Sequence, residues 1–387
     1  MRIVHTSDWH AGRAWKQTDR LEELEAVLAH LAAFIAEEAV DLLLITGDVF
    51  DTRTPPARAE QIVFGFLRRI GSLDVRTVMI AGNHDSPNRF EAWAQLAELA
   101  DVVALGHPRD AEHGGLVEVT TRNGERARIA AVPFASAGTL IEATALADEP
   151  SARRDYAHSL GRLFAELAEG FGDVSVNLLL AHTHVSGAML SGSERRIHVA
   201  DEWAAEARAL PAGCHYAALG HLHKPQPIPG APCLARYAGS ALQLDFGEAG
   251  EAKSFVVLDA NAEHGVESWR TVPYQGALPL ADIELDLVTL EDEAENLRDA
   301  GWLRVTVPLD RPDADLARKV KTLLPNAVVV RAALDTPLAG VEVARLPTNT
   351  PPAERFAAYF ENRHDRPVEP AVLERFRDLY QEALDQD

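Results

Sequence analysis

Residues 41–48 read Asp41-Leu42-Leu43-Leu44-Ile45-Thr46-Gly47-Asp48, and the expected fold can be built outward from them. Four consecutive aliphatic residues are typical of a strand buried on both faces, as in a parallel sheet packed between two other layers. The carboxylate of Asp48 should then lie at the carboxyl end of a central strand, where open α/β sheets place their ligand sites. We therefore expect an α/β protein with a site centred on Asp48.

Four other segments share this design, in which a predicted strand ends on side chains that commonly bind metals. They are residues 2–10 (RIVHTSDWH), 77–85 (TVMIAGNHD), 177–182 (NLLLAH) and 216–223 (YAALGHLH). One histidine alone is most often a surface or core residue. Five ligand-bearing strand ends within the first 223 residues are far more specific, so the sequence predicts one shared metal site.

The composition is that of a globular protein. Hydrophobic residues make up 47% and charged residues 25% of the 387 residues, which suits one large core with smaller units. The N-terminus enters a strand without a signal peptide, and Cys214 and Cys233 fit no CxxC motif, so we expect a cytoplasmic chain with reduced thiols. A net charge of −22 argues against a protein that binds nucleic acid without a partner. Bound metal or a partner protein would have to supply positive charge.

Strand and helix signals alternate over the first hundred or so residues and then give way to shorter strands. Apolar residues at helical spacing predict helices over residues 19–38, 55–70, 89–100 and 151–169. Asn123-Gly124 between two short strands predicts a hairpin turn. This order fits two sheets packed face to face with helices outside, that is, a four-layer β-sandwich flanked by helices.

The pattern predicts three parts. Residues 1–272 carry all the metal-type motifs. The pattern of residues 273–340 predicts a small α+β capping domain. This segment is too short to bury a large core of its own, so it should pack against the first domain. Residues 341–387 predict a proline-rich linker and a helical tail. The apolar stripe of that tail, from Val372 to Leu384, fits packing on its own domain and docking on a partner protein equally well.

The ligand types favour two divalent ions that share the carboxylate of Asp48. Carboxylate, amide and imidazole groups at an open site suit ions that act on phosphate esters, with Mn²⁺ favoured and Mg²⁺ as the alternative. The first ion is assigned Asp8, His10, Asp48 and His223. The second ion is assigned Asp48, Asn83, His182 and His221.

Three residues beside the predicted ligands are catalytic candidates. His84 follows Asn83 but is not a ligand in this scheme, so we expect it to give a proton to the leaving oxygen. Asp51 and Asp85 are candidates for orienting an imidazole or hydrogen-bonding a ligand. Other histidines fit no such role, including His5, His107, His184, His198 and His215.

These motifs resemble those of the calcineurin-like metallophosphoesterases. The resemblance is carried by Asp8-Trp9-His10, Gly47-Asp48-Val49-Phe50-Asp51, Gly82-Asn83-His84-Asp85, His182 and Gly220-His221-Leu222-His223. Residues 221–226 (HLHKPQ), 237–240 (YAGS) and 253–255 (KSF) are similar to the bacterial SbcD branch in particular. The resemblance gives His84 the same proton-transfer role. Some relatives have a histidine where Asp51 stands, so assistance from a second residue is left open.

The resemblance implies a metal-dependent DNA nuclease with a two-metal mechanism. SbcD-type proteins act as exonucleases on double-strand ends and as endonucleases on single strands and hairpins, together with an SbcC-like ATPase, in DNA repair, replication and recombination. The helical tail is the candidate segment for binding that ATPase. Relatives dimerise through the phosphoesterase domain, so a homodimer is a further expectation. No membrane partner is expected.

Two other functions are compatible with the motifs. A phosphodiesterase or phosphatase of small phosphate esters would explain the acidity without a partner, but it would not need the second domain or the tail. A non-catalytic scaffold would not need every ligand position filled. Residues 247–254 (GEAGEAKS) match a P-loop only superficially, because alanine precedes the lysine and a strand is predicted to follow. Candidate DNA contacts, equally well explained as surface charges, are Arg13, Lys16, Arg53, Arg58, Arg89 and Lys224.

Overall fold

Strands and helices follow one another as the sequence predicts, in a computed structural model that describes residues 1–15, 18–135, 149–191, 204–334, 352–364 and 366–385. The strands are β1 (Arg2–Thr6), β2 (Ala14–Trp15), β3 (Thr18–Asp19), β4 (Leu42–Thr46), β5 (Arg76–Ile80), β6 (Val102–Leu105), β7 (Leu116–Thr120), β8 (Arg126–Val132), β9 (Val176–His182), β10 (Tyr216–Gly220), β11 (Gln226–Pro227), β12 (Leu234–Tyr237), β13 (Ser254–Asn261), β14 (Gly265–Pro273), β15 (Leu280–Glu284), β16 (Trp302–Leu309) and β17 (Ala327–Leu334). The helices are α1 (Leu21–Glu37), α2 (Ala57–Gly71), α3 (Pro87–Ala97), α4 (Glu149–Ala168), α5 (Leu287–Asp292), α6 (Ala294–Arg298), α7 (Leu316–Leu323), α8 (Pro352–His364) and α9 (Pro370–Asp385).

The first sheet is built around β4. Its order is β14-β13-β1-β4-β5-β6, and β1, β4, β5 and β6 run parallel. Successive side chains of a strand point to opposite faces, so Leu42 and Leu44 enter one hydrophobic core while Leu43 and Ile45 enter another. An uninterrupted aliphatic strand is what a parallel sheet covered on both faces requires.

The second sheet has the order β11-β12-β10-β9-β8-β7. Strands β8, β9, β10 and β12 are parallel, and β7 pairs with β8 as an antiparallel hairpin. The predicted turn at Asn123-Gly124 joins this hairpin, and Gly124 has φ of +81°, a conformation that glycine adopts without steric cost. The hairpin therefore forms where its turn signal predicts it.

Helices and sheets stack in four layers. Side chains of α1 and α2, such as Leu28 and Phe66, pack on the outer face of the first sheet. Ile80 and Leu180 meet between the two sheets, and α4 covers the second sheet with residues such as Phe164. Burying one side chain of this size stabilises the fold by about 1.5–3 kcal/mol. The predicted four-layer α/β sandwich is confirmed.

A third, smaller sheet has the order β15-β16-β17. Its residues Leu280 and Val328 are buried against Phe246 of the main fold. The indole nitrogen of Trp302 donates a hydrogen bond to Glu23 Oε1 at 2.7 Å. The small sheet therefore packs against the sandwich, as expected for a segment with too few residues for a core of its own.

The described residues divide into two compact units. One contains residues 1–307 and 315–331, and the other contains residues 308–314 and 332–387. The predicted domain boundaries at residues 272 and 340 stay predictions. In the second unit, the rings of Phe356 and Phe376 stack with centroids 4.4 Å apart, so α8 and α9 pack on each other. Most of the predicted linker lies outside the described residues. Among described helices, none has the length and apolar content needed to cross a bilayer.

Candidate metal centre

Loops that follow neighbouring strands of the first sheet are tied together at the predicted site. The Asp8 amide donates to the Gly47 carbonyl and the His10 amide donates to the Asp48 carbonyl, each at 3.0 Å. These bonds extend the pairing of β1 with β4 beyond the last residue of each strand. They hold the side chains of Asp8, His10 and Asp48 at one edge of the sheet.

The second sheet delivers its histidines to the same edge. The register of β9 and β10 pairs His182 with Gly220, so His221 emerges beside His182. The Nδ1 atom of His182 donates to the carbonyl of Thr46 at 2.7 Å, which joins the ends of β9 and β4. The site is therefore assembled where two sheets meet.

The backbone is strained at this edge. Four predicted ligands have positive φ, namely Asp8 (51°), His10 (45°), Asp48 (47°) and His221 (104°). Such conformations cost side-chain-bearing residues free energy and concentrate at functional sites. Gly47 has φ of 90°, and a Cβ atom there would collide with the ring of His182. Only glycine allows the two loops to approach this closely.

The side chains assigned to the first ion lie together. Ligand atoms of Asp8, His10 and His223 all fall within 4.8 Å of one another, and the Nε2 atoms of the two histidines are 3.2 Å apart. The Nδ1 atom of His10 donates to Asp51 Oδ1 at 3.0 Å, and that of His223 donates to Glu248 Oε1 at 3.2 Å. Because an ionised carboxylate only accepts, both rings turn an Nε2 lone pair toward the same space.

The side chains assigned to the second ion form an adjoining group. Ligand atoms of Asp48, His182 and His221 lie within 4.8 Å of one another. The side-chain oxygen of Asn83 is 3.0 Å from His182 Nε2 and 2.9 Å from His221 Nδ1. Since Nδ1 of His182 donates to a carbonyl, Nε2 is the nitrogen that faces this group and would bind the metal.

Asp48 lies between the two groups. Its Oδ2 atom is 3.6 Å from His10 Nε2 and 3.5 Å from His182 Nε2, the position expected of a shared ligand. Lone pairs and carboxylate oxygens turned toward one another are stabilised by a cation placed between them. This donor set of imidazole, carboxylate and amide oxygen fits divalent ions such as Mn²⁺. The structure brings all seven predicted ligands together, and their metal-binding role stays a prediction.

Burial and mutual charge shift the pKa values of the site. Burial raises the pKa of Asp8 to about 6, against the opposing effect of His182 and His223. Burial lowers the pKa of His10 to about 4. At His182, burial opposes the charged form, but Asp48 outweighs it and raises the pKa to about 9. Asp48 therefore favours positive charge on its His182 side, as expected of a carboxylate that binds a cation.

His84 lies at the edge of the first group. Its ring is half-buried, with its centroid 4.7 Å from that of His10. Its Nδ1 atom donates to the backbone oxygen of Asp51 at 2.8 Å, so Nε2 is the atom available for proton transfer. One of its ring nitrogens lies within 4.8 Å of ligand atoms of His10 and Asp48. Distance alone therefore also permits a ligand role for His84.

The carboxylate of Asp51 orients an imidazole. It accepts from His10 Nδ1 at 3.0 Å and from Arg13 Nη1 at 3.1 Å. Burial opposes its ionisation, but these two neighbours outweigh burial and lower its pKa to about 2. Asp51 is therefore a fixed negative charge behind His10, which agrees with the geometry expected of a group behind a ligand.

The carboxylate of Asp85 is bound by backbone amides beside the predicted ligands. Its carboxylate accepts hydrogen bonds from the backbone amides of Val49, Phe50 and Gly82 at 2.8–3.2 Å. Burial, together with the nearby charge of Asp48, raises the pKa of Asp85 to about 7. Asp85 therefore fastens the loop after β5 to the loop after β4, and acts on the predicted ligands through the backbone.

Glu248 is part of the site although its sequence context gives little sign of it. The residue is buried in a short 3₁₀ turn, Phe246–Glu248, and holds the ring of His223. Its other oxygen lies 2.7 Å from Lys253 Nζ. The only available signal is a charged pair just before the apolar strand β13, within the segment that superficially matches a P-loop.

Some candidate DNA-contact residues are engaged in ion pairs within the protein. The pairs are Arg13 with Asp51, Arg58 with Glu25, and Arg89 with Glu60. The pairs of Arg58 and Arg89 are the more exposed ones, and such pairs contribute little to stability and can exchange partners. Lys16 lies outside the described residues. Contact of these side chains with DNA stays a prediction.

Comparison with protein families assigns the class. Residues 1–225 match the model of the calcineurin-like phosphoesterases. The matched span contains all seven predicted metal ligands and His84. With its four-layer sandwich and its carboxylate and imidazole side chains at the strand ends, the chain is a calcineurin-like phosphoesterase.

Curated relatives narrow the assignment. The SbcD component of the SbcCD nuclease from Bacillus subtilis (strain 168) is 37% identical over 284 residues, which cover 72% of this chain and 71% of that protein. SbcD of Rhodobacter capsulatus is 30% identical over 377 residues, 91% and 90% of the two chains. SbcD of Escherichia coli (strain K12) is 29% identical over 339 residues, 84% and 82% of the two chains. The chain belongs to the SbcD family.

Proposed function

We propose that this protein is a metal-dependent DNA nuclease, acting as an exonuclease on double-strand ends and as an endonuclease on single strands and hairpins. The observation that carries the proposal is the convergence of seven metal-type side chains, with Asp48 between the two groups. The relatives that share most of the chain are nuclease components by name. A scaffold protein would have no need of a strained, buried set of ligands.

Two divalent ions, Mn²⁺ in preference to Mg²⁺, are proposed for the two groups of side chains. When bound, ions that share a carboxylate activate a water molecule as nucleophile and neutralise charge on the phosphoryl oxygens. The chain contributes orientation: Asp51 holds the ring of His10, Glu248 holds that of His223, and the Thr46 carbonyl holds that of His182. Ligands fixed in this way lose little freedom when a metal binds.

We assign proton transfer to His84. Its Nδ1–H is occupied by the Asp51 carbonyl, so Nε2 is the ring nitrogen from which a proton would pass to the departing sugar oxygen. The ring is only half-buried, unlike the predicted ligands, which leaves a face for substrate. His84 therefore combines a fixed orientation with access to the reacting bond.

We propose that a partner protein supplies most of the affinity for DNA. The net charge of −22 gives the chain little general attraction for a phosphate backbone. We propose that an SbcC-like ATPase binds through α8 and α9, and that the complex acts in DNA repair, replication and recombination in the cytoplasm. A homodimer formed through the phosphoesterase domain is part of the same proposal.

The test is cleavage of an end-labelled duplex closed by a hairpin, in Mn²⁺, with and without the ATPase partner and ATP. A chromogenic phosphodiester is run in parallel, and Asp48→Asn serves as the inactive control. We expect Mn²⁺-dependent opening of the hairpin by wild type, with attack on the duplex end when the partner and ATP are present. Turnover of the small ester with DNA left intact would instead indicate a small-ester phosphodiesterase. No turnover of either substrate would indicate a scaffold.

A further inference from the structure

A buried ion pair lies directly behind the predicted metal ligand His223. Glu248 is 0% exposed and Lys253 is 8% exposed. Glu248 accepts from His223 Nδ1 at 3.2 Å and lies 2.7 Å from Lys253 Nζ. The same lysine donates to the backbone oxygen of His223 at 2.9 Å. Two buried charged residues thus hold this histidine by its ring and by its backbone.

Stability alone gives no reason for this pair. Removing two charges from water costs several kcal/mol per ion, and packed apolar side chains of similar volume usually stabilise a fold as well or better. The carboxylate is instead fully supplied with donors, since its second oxygen also accepts from the Leu244 amide at 3.0 Å. Its neighbours, the His223 ring, the Lys253 ammonium and the Leu244 amide, are all donors. The His223 ring therefore faces a charged acceptor.

The turn that carries Glu248 is anchored from its other side. Phe246 is buried against Leu280 and Val328 of the third sheet, and its ring centroid lies 5.6 Å from that of Trp15. The side chain of Gln243 reinforces this contact by accepting from the Leu280 amide at 2.7 Å. Packing of the third sheet therefore sets the position of the turn, and with it the position of the Glu248 carboxylate.

We propose that Glu248 is a positioning residue of the metal centre. It keeps the proton of His223 on Nδ1, so that Nε2 remains directed at the ion assigned to Asp8, His10 and Asp48. Lys253 balances its charge, and the packing of Phe246 on the third sheet fixes its place. The inference rests on the ligand role proposed above for His223. It gives the third sheet a part in metal binding although that sheet supplies no predicted ligand.

Glu248→Gln tests the charge while keeping the length of the side chain. The matched control is Glu251→Gln, because Glu251 also pairs with Lys253, at 3.0 Å, and its side chain is 20% exposed. Mn²⁺ binding to each full-length, metal-free protein is measured by calorimetry. Wild type and Glu251→Gln should bind two ions alike. Glu248→Gln should retain one ion with unchanged affinity and bind the other about 10–100-fold more weakly, the usual cost of losing a group behind a metal-binding histidine.

Binding of two ions by Glu248→Gln with wild-type affinity would overturn the proposal. Thermal unfolding in excess EDTA shows whether this variant folds. The wild-type protein provides a second test that needs no variant, through the ¹⁵N shifts of the His223 ring after loading with diamagnetic Zn²⁺. A protonated Nδ1 is expected, and a protonated Nε2 would overturn the proposal.

Phe246→Leu tests the anchor separately. This variant should lower the affinity for the same ion as Glu248→Gln does. Unchanged Mn²⁺ binding would show that packing on the third sheet plays no part in metal binding. None of these measurements uses DNA. A failure of the nuclease assay with normal binding of two ions would therefore contradict the proposed substrate and leave the role of Glu248 standing.

Discussion

The Nδ1 atom of His84 donates to the backbone oxygen of Asp51 at 2.8 Å, and this bond leaves Nε2 as the only ring atom that can serve the substrate. His84→Ala should therefore lower the rate of hairpin cleavage by about 10²–10⁴-fold, the usual contribution of a general acid. Its Mn²⁺ content, measured by plasma emission after gel filtration, should equal that of wild type.

His264→Gln is the control for this substitution, because the His264 side chain is 63% exposed and lies on the turn between β13 and β14. It should change neither rate nor metal content. Loss of Mn²⁺ together with activity in His84→Ala would show that His84 is a ligand, which its distance to His10 and Asp48 permits.

Asp48 should support both ions, because its Oδ2 atom lies about equally far from one histidine of each group. Asp48→Asn keeps a residue type that tolerates the φ of 47° found there. It should lower the affinity for both ions and abolish metal-dependent cleavage. Asn83→Ala should lower only the affinity for the second ion. Calorimetric titration with Mn²⁺ measures both effects. One ion bound normally by Asp48→Asn would contradict a shared ligand.

His5 should make the fold sensitive to acid. It is buried, with Nδ1 2.9 Å from the Tyr216 hydroxyl and Nε2 2.9 Å from Thr46 Oγ1, and burial lowers its pKa to about 3. The unfolded chain binds this proton from about pH 6.5 downward. The free energy of unfolding therefore decreases as the pH is lowered from about 6.5 to about 3. At pH 4.5, His5 should account for a loss of about 2–3 kcal/mol relative to pH 7.

Urea unfolding at pH 7 and pH 4.5 in EDTA, compared between wild type and His5→Gln, isolates this contribution. The variant cannot titrate at residue 5, so it should start less stable and lose less stability on acidification. Equal losses in the two proteins would show that His5 becomes protonated within the folded state.

The helical tail should carry the contact with the ATPase. Truncation after Leu346 removes α8 and α9, including the stacked rings of Phe356 and Phe376. It should abolish co-purification with the SbcC-like partner and leave Mn²⁺-dependent cleavage of single strands intact, because all predicted ligands lie within residues 1–225. Pull-down with a tagged partner measures the first effect. Undiminished association would place the contact elsewhere.

Much of the candidate site could be predicted because it follows from strand order. Parallel strands present their carboxyl ends at one edge, so aliphatic runs that stop at Asp8, Asp48 and Asn83 had to bring these residues together once β1, β4 and β5 became neighbours. The same reasoning placed His182 beside His221. Local sequence was sufficient here because each ligand directly follows a strand whose apolar pattern is clear.

The remaining features depend on contacts that no local pattern encodes. Glu248 reaches His223 from a 3₁₀ turn whose position is set by Phe246 packing on Leu280. Asp85 could be placed near the ligands from its sequence position. Whether Asp85 hydrogen-bonds an imidazole or backbone amides depends on the path of the loop after β4, which places the amides of Val49 and Phe50 beside it.

The pairing of β1 with β13 has a consequence for synthesis of the chain. Strand β1 lies inside the first sheet, with β4 on one side and β13, which begins at Ser254, on the other. Until that late segment leaves the ribosome, the nascent protein presents β1 as an open, apolar edge, the kind of surface on which chains aggregate. Fragments that stop short of β13 should therefore associate with one another, and a chaperone that covers this edge during translation would raise the yield of folded protein.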